Sequence, residues 1–470
     1  IKRLEPVEVI GAAEGVSVRD VQFDHRRLQP GDMFCCLSGE HRDGHDFAAA
    51  AVAAGASSLL CEHPVEAAVP QVVTGHGRAR AAMAEAACAA HLDPASRLST
   101  TGVTGTNGKT TTTYLLQSVL AAAGRPTAVI GTLTGARTTP EAPDLQRQFA
   151  EAVYSGSSAV VLEVTSHALV QHRVDGYVHD VAVFTNLSQD HLDYHGTMER
   201  YFEAKALLFT PEHARQGVVS ADDAYGQRLL DKAGIAVTPF ALSDAGELEI
   251  SLTGSRFLLD GHGVELHLTG EPNVRNALAA AAAARTLGVP AEAIAAGLTA
   301  AAPVPGRFET VANALGLAVI VDFAHTPAAL TESLAAVARL ADGGRLIVVF
   351  GAGGDRDAEK RPLMGAAVST AADIALVTSD NPRHEDPRRI IEEIVAGCTG
   401  PAEVIVEPDR RAAISLALAT ARVGDLVVVT GKGHEKTQQV GDEMQPFDDA
   451  DVIATEATAL AAGGGRGGDR

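Results

Sequence analysis

The chain has 470 residues, a length that corresponds to about three domains. Its composition, 46% hydrophobic with a formal net charge of −21 at pH 7, provides for buried cores and argues against nucleic acid or an anionic membrane surface as a partner. The five cysteines have no metal-binding spacing, and no apolar run of about 18 residues occurs, so we expect a cytoplasmic protein with reduced thiols and no membrane span.

The first unit, residues 1–97, has the pattern of a small mixed α/β domain. Cys35 and Cys36 are adjacent in a predicted strand, so we expect their side chains on opposite faces of a sheet. The predicted elements are strands at 32–38 and 58–61 and helices at 46–54 and 78–92.

A glycine-rich loop dominates the second unit, residues 98–303. It joins a predicted strand at 100–103 to a predicted helix at 111–123. Such a loop surrounds phosphates with backbone N–H groups, its lysine reaches the β- and γ-phosphates, and the next threonine can ligate magnesium. Val103 departs from the general pattern, which has glycine there, and a glycine turn that only begins a helix is the alternative. The loop residues are Gly105, Thr106, Asn107, Gly108, Lys109, Thr110 and Thr111.

Polar side chains follow two further predicted strands of this unit, at 159–164 and 180–187. Open α/β sheets bind ligands beyond the carboxyl ends of their strands. We therefore predict that Glu163 binds magnesium together with Thr110 and that His191 binds a second ion. Each residue taken singly also fits an ordinary polar position at a strand end. The remaining expectations are a strand at 128–131 and a helix at 273–287 with Asn273 as its N-cap and Gly288 past its end.

A predicted helix at 197–209 has a lysine, Lys205, on its apolar face. An inward-facing ammonium group is costly unless it is paired or chemically altered. One alternative is a snorkelling stem or a salt bridge to Glu203 or another carboxylate. The other is a neutral amine, its pKa lowered by burial, which adds carbon dioxide and becomes a carbamate.

In the third unit, residues 304–470, predicted strands and helices alternate, which indicates a mainly parallel, doubly wound sheet of the Rossmann type. Three polar sequences, 351–357, 380–383 and 431–435, follow strands, and the first and the last of them contain glycines. Each fits a tight turn as well as a ligand site. The strands are predicted at 317–323, 345–350, 374–378, 403–406 and 426–430, and the glycine-rich tail at 463–468 predicts no regular structure.

Short motifs, spread in order over residues 24–449, are similar to those of the Mur ligases. Some resemble the family as a whole, and others resemble its diaminopimelate-adding branch. The general motifs are 105–110, 163–167, 186–196, 305–309 and 322–327, and those of the branch are 353–357, 380–383 and 431–435.

The resemblance implies an ATP-dependent amide ligase of peptidoglycan synthesis that uses ATP and Mg²⁺. The acceptor would be UDP-N-acetylmuramoyl-L-alanyl-D-glutamate, and the added amino acid would be meso-diaminopimelate rather than L-lysine. A carboxylate is a poor electrophile, so ATP would first convert it to an acyl phosphate. These small molecules would be the only partners of a monomeric enzyme.

By the same resemblance, the first unit would bind the UDP-muramoyl dipeptide, the second ATP and the third the amino acid. The catalytic residues would be Lys109, Lys205, His191 and Glu163, with Thr110, Glu163, His191 and carbamylated Lys205 as metal ligands. ATP would contact the loop 105–111, Asn276, Arg307, Asp322 and His325. The UDP-muramoyl dipeptide would contact Thr138, Thr139, Thr165, Gln171 and Arg173. Diaminopimelate would contact Arg356, Asp380, Asn381, Pro382, Arg383, Gly431 and Glu435.

Two positions depart from the family pattern: His25 and Thr165 each replace a serine, and only Thr165 keeps the hydroxyl group. A folylpolyglutamate synthetase is the nearest alternative, and the sequence Asp-Asn-Pro-Arg at 380–383 argues against it. A P-loop switch protein is the alternative from another class. Its ATP hydrolysis would not depend on two ligase substrates.

Overall fold

In the computed structural model, which describes residues 2–39, 42–341 and 343–464, the N-terminal unit is a five-stranded sheet with two helices. These elements are β1 (Glu8–Ile10), β2 (Val21–Gln22), β3 (Met33–Cys35), α1 (Ala48–Ala53), β4 (Ser58–Cys61), β5 (Gln71–Val73) and α2 (Ala79–Ala90). The strand order is β1-β5-β4-β3-β2, parallel except for β1. Cys35 packs in the apolar cluster of α2 and Cys36 in that of α1, which confirms that they lie on opposite faces.

A six-stranded parallel sheet forms the centre of the second unit. The elements are β6 (Ser99–Thr104), α3 (Lys109–Ala122), β7 (Thr127–Ile130), α4 (Ala142–Tyr154), β8 (Ala159–Glu163), α5 (Ser166–Val170), β9 (His179–Phe184), α6 (Leu192–His195), α7 (Met198–Ala206), β10 (Ala214–Ser220), α8 (Ala224–Lys232), β11 (Ala236–Phe240), β12 (Gly246–Ser251), β13 (Gly254–Leu259), β14 (His262–Leu266), α9 (Glu271–Thr286) and α10 (Ala291–Thr299). The strand order β11-β10-β9-β6-β8-β7 places β6, which precedes the phosphate loop, inside the sheet. The strands β12 to β14 form a separate antiparallel sheet that the sequence analysis did not predict.

The third unit has a six-stranded sheet with helices on both faces. The elements are β15 (Glu309–Thr310), β16 (Ala318–Asp322), α11 (Pro327–Ala338), β17 (Leu346–Phe350), α12 (Lys360–Ala371), β18 (Ile374–Val377), α13 (Pro387–Val395), β19 (Glu403–Val406), α14 (Arg410–Thr420), β20 (Leu426–Thr430), β21 (Thr437–Val440), β22 (Glu443–Pro446) and α15 (Asp449–Gly464). The order is β15-β16-β20-β17-β18-β19, parallel except for β15. Helices α11 to α13 cover one face and α14 and α15 the other, which confirms the doubly wound α/β architecture.

One capping prediction is wrong. Gly270, and not Asn273, precedes the first turn of α9. Pro272 fixes a helical φ in that turn, and the side chain of Asn273 donates to the carbonyl of Thr269 at 2.9 Å instead of capping the helix. Gly288 follows the helix with a positive φ of 77°, as predicted.

Among the described residues, no helix is both long and apolar enough to cross a membrane. Most of the glycine-rich tail lies outside the described residues. The division of the chain after residues 97 and 303 stays a prediction.

Candidate active site

The phosphate loop lies between β6 and α3, and two of its glycines occupy positions where a side chain would clash with neighbouring atoms. A Cβ atom on Gly105, whose φ is 152°, would lie 1.9 Å from the hydroxyl oxygen of Thr185. On Gly108, whose φ is 85°, it would lie 2.2 Å from the side-chain oxygen of Asn276. The backbone N–H of Asn107 donates to the Asn186 side chain at 2.9 Å, so residues that follow β9 hold the loop in place.

Two lysine side chains converge on this loop. The ammonium group of Lys109 donates to the carbonyls of Gly105 and Thr106 at 2.9 and 2.8 Å. Lys205 of α7, only 1% exposed, donates to the same Gly105 oxygen at 2.8 Å. Burial lowers the pKa of both lysines, and the positive charge of Lys109 lowers the pKa of Lys205 further.

The surroundings of Lys205 confirm that it points inward and remove one alternative. Glu203 is ion-paired with Lys232, so it is not the partner of Lys205. The Lys205 ammonium lies 4.8 Å from the centre of the Tyr201 ring. Its amine is therefore held by a carbonyl and an aromatic face, and the described residues give it no carboxylate partner.

Glu163, at the end of β8, links the loop to the neighbouring strand. Its carboxylate is 1% exposed and accepts hydrogen bonds from the Thr110 hydroxyl at 2.9 Å and from the backbone N–H of Thr132 at 2.8 Å. The guanidinium of Arg307, which comes from the third unit, lies 3.3 Å from the same Thr110 hydroxyl. A carboxylate and a hydroxyl beside a phosphate loop are oxygen donors of the kind that Mg²⁺ prefers, so these residues fit that ion.

His191 lies in a cluster of aromatic rings at the start of α6, with a positive φ of 54°. Its ring meets that of His167 edge-on at 4.9 Å, and its Nε2 is 3.5 Å from Asp190. Burial lowers the pKa of His167 and His195 to about 4, and partial burial and the nearby ammonium groups of Lys109 and Lys205 lower the pKa of His191. These imidazoles are neutral near pH 7, the form in which histidine binds a metal ion.

The residues predicted for the UDP-muramoyl dipeptide lie in one hydrogen-bonded group. The Thr139 hydroxyl accepts from the backbone N–H of Thr165 at 3.0 Å and donates to the carbonyl at the end of β8 at 2.8 Å. The guanidinium of Arg173 donates to the Thr139 carbonyl at 3.0 Å and to the Gln171 side chain at 2.6 Å. The hydroxyl of Thr138 lies 3.0 Å from the hydroxyl of Thr132.

The remaining residues predicted for ATP differ in their contacts with the loop. Asn276 and Arg307 adjoin it, as described above. The Asp322 carboxylate accepts from the Ser333 hydroxyl at 2.8 Å, and burial raises its pKa. His325 lies three residues beyond the end of β16, its Nδ1 2.8 Å from the carbonyl of Phe323. The guanidinium of Arg307 stacks 4.3 Å from the Phe323 ring, so this segment adjoins the loop through Arg307.

The residues predicted for the amino acid meet where β18 and β20 end. The side-chain N–H of Asn381 donates to Glu435 at 2.7 Å. Arg383 has a positive φ of 51° and donates to the carbonyl of Gly354 at 2.6 Å. A Cβ atom on Gly431 would lie 2.6 Å from the Asp380 carboxylate. Pro382 follows Asn381 in the same turn, and the side chain of Arg356 is exposed at its rim.

A cavity of about 300 Å³, which was not predicted from the sequence, lies beside the phosphate loop. Its lining includes Arg275 of the second unit and Glu332 of the third unit. The other lining residues are Asn107, Gly108, Thr185, Asn186, Leu187, Ser188, Ser220, Asp222, Asp223, Phe240, Pro272 and Asn276. No local pattern marks Glu332, because a helix from another unit brings it to the cavity.

Comparisons with known proteins agree over nearly the whole chain. Residues 18–100 match the Mur ligase family catalytic domain, 103–284 the Mur ligase middle domain and 306–433 the Mur ligase glutamate ligase domain. A protein of Synechococcus elongatus named UDP-N-acetylmuramoyl-L-alanyl-D-glutamate--2,6-diaminopimelate ligase is 44% identical over 465 residues, which cover 93% of each chain.

Solved structures give the same result for the fold. One of an enzyme with that same name covers 98% of each chain with a TM-score of 0.69 and 32% identity. The structure of MurF ligase from Thermotoga maritima in complex with ADP covers 90% of this chain and 95% of the other, with a TM-score of 0.65. At 20% identity, the second likeness shows the fold alone.

Proposed function

The chain belongs to the Mur ligase family, and we propose that it adds meso-diaminopimelate to UDP-N-acetylmuramoyl-L-alanyl-D-glutamate at the expense of ATP, in peptidoglycan synthesis. Relatives that carry this activity in their names match 93% and 98% of the chain. ATP as a substrate is consistent with a cytoplasmic enzyme.

One contact carries the chemical part of the proposal. The side chain of Glu163 accepts from Thr110 of the phosphate loop, and its backbone carbonyl accepts from Thr139 of the dipeptide group. A single residue therefore joins the nucleotide end and the acceptor end of the site. A D-glutamate carboxylate held by the dipeptide group would lie beside the γ-phosphate of ATP, which is the arrangement that phosphoryl transfer needs.

The proposed reaction has two steps. A carboxylate oxygen attacks the γ-phosphorus, and the bond from that phosphorus to the β,γ-bridging oxygen breaks. The products are ADP and an acyl phosphate. The neutral amine of the amino acid then attacks the acyl carbon, loses a proton and displaces inorganic phosphate. Lys109 offsets the negative charge that is shared between the β- and γ-phosphates. Arg307, which reaches Thr110 from the third unit, would bring the amino-acid site toward the acyl phosphate.

Thr110 and Glu163 would hold Mg²⁺, and His191 would hold a second ion. These ions, when bound, supply positive charge to the phosphate oxygens. The two oxygen donors already face each other, and the neutral imidazole of His191 lies near Lys109 and Lys205.

We further propose that Lys205 is carbamylated in the active enzyme. Its neutral amine would form an N–C bond with carbon dioxide and release a proton, so a buried cation would become an anion. Two observations support this: the side chain is 1% exposed, and the carbonyl it contacts is already hydrogen-bonded to Lys109. A carbamate would attract Lys109 where an ammonium group repels it, and its oxygens would add to the metal ligands.

Arg383 supports the choice of diaminopimelate over L-lysine. The two amino acids differ by one carboxylate on the distal carbon, and a guanidinium can hold a carboxylate through two hydrogen bonds. A site built for that carboxylate discriminates against a substrate that lacks it, because the guanidinium is then left without its anion.

The test is phosphate release from ATP, measured with and without the UDP-muramoyl dipeptide and each amino acid. We expect release to require both substrates and kcat/KM to favour meso-diaminopimelate over L-lysine by roughly tenfold or more. Hydrolysis without this dual dependence would indicate a switch protein, and activity with a folate acceptor would indicate a folylpolyglutamate synthetase. Equal specificity constants for the two amino acids would refute the role of Arg383.

A further inference from the structure

Lys432 is a fully buried lysine among the residues predicted to bind the amino acid, but it is not itself one of those predicted residues. It follows β20 between two glycines with positive φ, and none of its side chain is exposed. Its ammonium group donates to the carbonyl of Thr437 at 2.6 Å, to the side-chain oxygen of Asn381 at 3.2 Å and to Glu435 Oε2 at 3.3 Å. These three acceptors use all three of its N–H donors.

The same contacts determine what Asn381 and Glu435 can bind. The Asn381 oxygen also accepts from the backbone N–H of Gln439 at 2.9 Å, so two donors occupy it. The Asn381 amide nitrogen donates to Glu435 Oε2 at 2.7 Å. One carboxylate oxygen of Glu435 is thus held by two buried donors, while 36% of its side chain is exposed.

We propose that Lys432 is a positioning residue which, through Asn381, orients Glu435 so that its second oxygen, Oε1, accepts an ammonium group of the incoming amino acid. The inference rests on the proposed function. Lys432 itself cannot touch the substrate, because it is buried and its donors are used. Asn381, which was predicted to contact the amino acid directly, mainly transmits the position of Lys432 to Glu435.

Chemistry decides which of the two amino groups Glu435 receives. The attacking amine must be neutral, and a carboxylate beside it would stabilise its protonated form. The ammonium group that does not react has no such requirement. Glu435 therefore suits the distal ammonium of diaminopimelate, at the end of the substrate whose carboxylate we assign to Arg383.

The test compares meso-diaminopimelate with L-2-aminopimelate, the same dicarboxylate without the second amino group. In Lys432→Met we expect kcat/KM for diaminopimelate to fall about tenfold or more, mainly through KM, and kcat/KM for aminopimelate to change less than about threefold. Lys432→Gln, whose amide can still donate to Thr437, serves if the methionine variant does not fold. Glu435→Gln should give the same selective loss, and the double variant should be no worse than either single one.

Lys436→Met is the matched control, since Lys436 lies four residues away, is 68% exposed and pairs with Asp448 outside this network. It should leave both specificity constants unchanged. An equal loss with both amino acids in the Lys432 variants would show a merely structural role and overturn the inference alone. Absence of diaminopimelate ligation by the unaltered protein would overturn the proposed function and the inference with it.

Discussion

Lys109 and Lys205 donate hydrogen bonds to one and the same oxygen, the backbone carbonyl of Gly105, at 2.9 and 2.8 Å. Two ammonium groups on one acceptor repel each other, and this repulsion is strong where little water screens it. The pair is therefore least costly when one member is neutral or has become an anion. The buried Lys205 is the member whose charge is the harder to keep.

Lys109→Ala should abolish ligation and leave the fold intact. Among the described residues, the Lys109 ammonium group donates only to carbonyls of its own loop, so its removal breaks no hydrogen bond to another part of the fold. We expect an unchanged circular dichroism spectrum and unfolding near the original temperature. Turnover should fall by about a hundredfold or more, because one charge contact is lost in the transition state. Near-normal turnover would remove the phosphate loop from the mechanism.

Lys205→Ala should also lose most activity, but short-chain carboxylic acids should restore part of it. The truncation opens a space beside the loop, and an added carboxylate can place an anion where we propose the carbamate. Initial rates at increasing acetate or propionate concentrations measure the rescue.

Lys232→Ala is the control for that rescue, because Lys232 is exposed and pairs with Glu203. It should keep full activity and show no response to added acids. A fully active Lys205→Ala protein, or a free amine at Lys205 in a high-resolution map of the metal-bound enzyme, would contradict the carbamate.

The elements with strong local patterns could be predicted from the sequence. The loop 105–111 and the buried strands of the parallel sheets are examples, and Lys205 was predicted to point inward from the spacing of apolar residues around it. Phe257, Leu259, Val264 and Leu266 are buried in alternation in β13 and β14, so a period-two signal for that antiparallel sheet existed and was missed.

Other features could not be predicted because distant segments create them. The burial of Lys432 depends on two segments, the turn at 380–383, which precedes it in the chain, and the hairpin of β21 and β22, which follows it. Both contact its ammonium group. Asn273 has the chemistry of a cap, but Pro272 sets the start of α9 two residues earlier. A propensity depends on the type of one residue, whereas the burial of Lys432 and the start of α9 are determined by the residues around them.

Asp449→Asn should destabilise the third unit strongly. The carboxylate of Asp449, at the start of α15, forms two hydrogen bonds of 2.8 and 2.7 Å with Arg410 of α14, and both side chains are fully buried. Removal of one charge leaves the other buried without its partner, at a cost of about 3–5 kcal/mol. Urea denaturation followed by circular dichroism measures the loss.

Glu456→Gln is the comparison for Asp449, because its ion pair with Arg411 joins the same two helices at the surface. Screened, exposed pairs contribute about 0–1 kcal/mol, so we expect a change in that range. Similar losses for the two variants would show that burial does not decide the energetics of this helix pair.

His179, a completely buried histidine on β9, should make the protein sensitive to acid. Its ring packs against Gly102 of the neighbouring strand β6, where a Cβ atom would lie only 3.0 Å from Nε2. Its hydrogen-bond partner is the hydroxyl of Tyr177, at 3.3 Å. Burial, together with the charge of His213, lowers the pKa of His179 to about 3.

The direction in which stability changes with pH follows from proton binding. Above about pH 6.5, the ordinary pKa of histidine, neither the folded nor the unfolded state binds a proton at this residue, and its contribution to stability is constant. Below that value the unfolded chain binds a proton that the folded protein excludes, so stability is lost as the pH falls from about 6.5 toward 3, by about 1.4 kcal/mol per pH unit. Between pH 7.5 and pH 5.0 this amounts to about 2 kcal/mol.

His179→Gln removes the titrating group, so it should lose about 2 kcal/mol less than the unaltered protein between these two pH values, whatever its stability at pH 7.5. Urea denaturation at each pH, followed by a signal from the central sheet, gives the difference. His76→Gln is the control, because the side chain of His76 is 98% exposed, and it should keep the original pH dependence. Equal acid sensitivity in His179→Gln and the unaltered protein would mean that His179 is already protonated in the folded state.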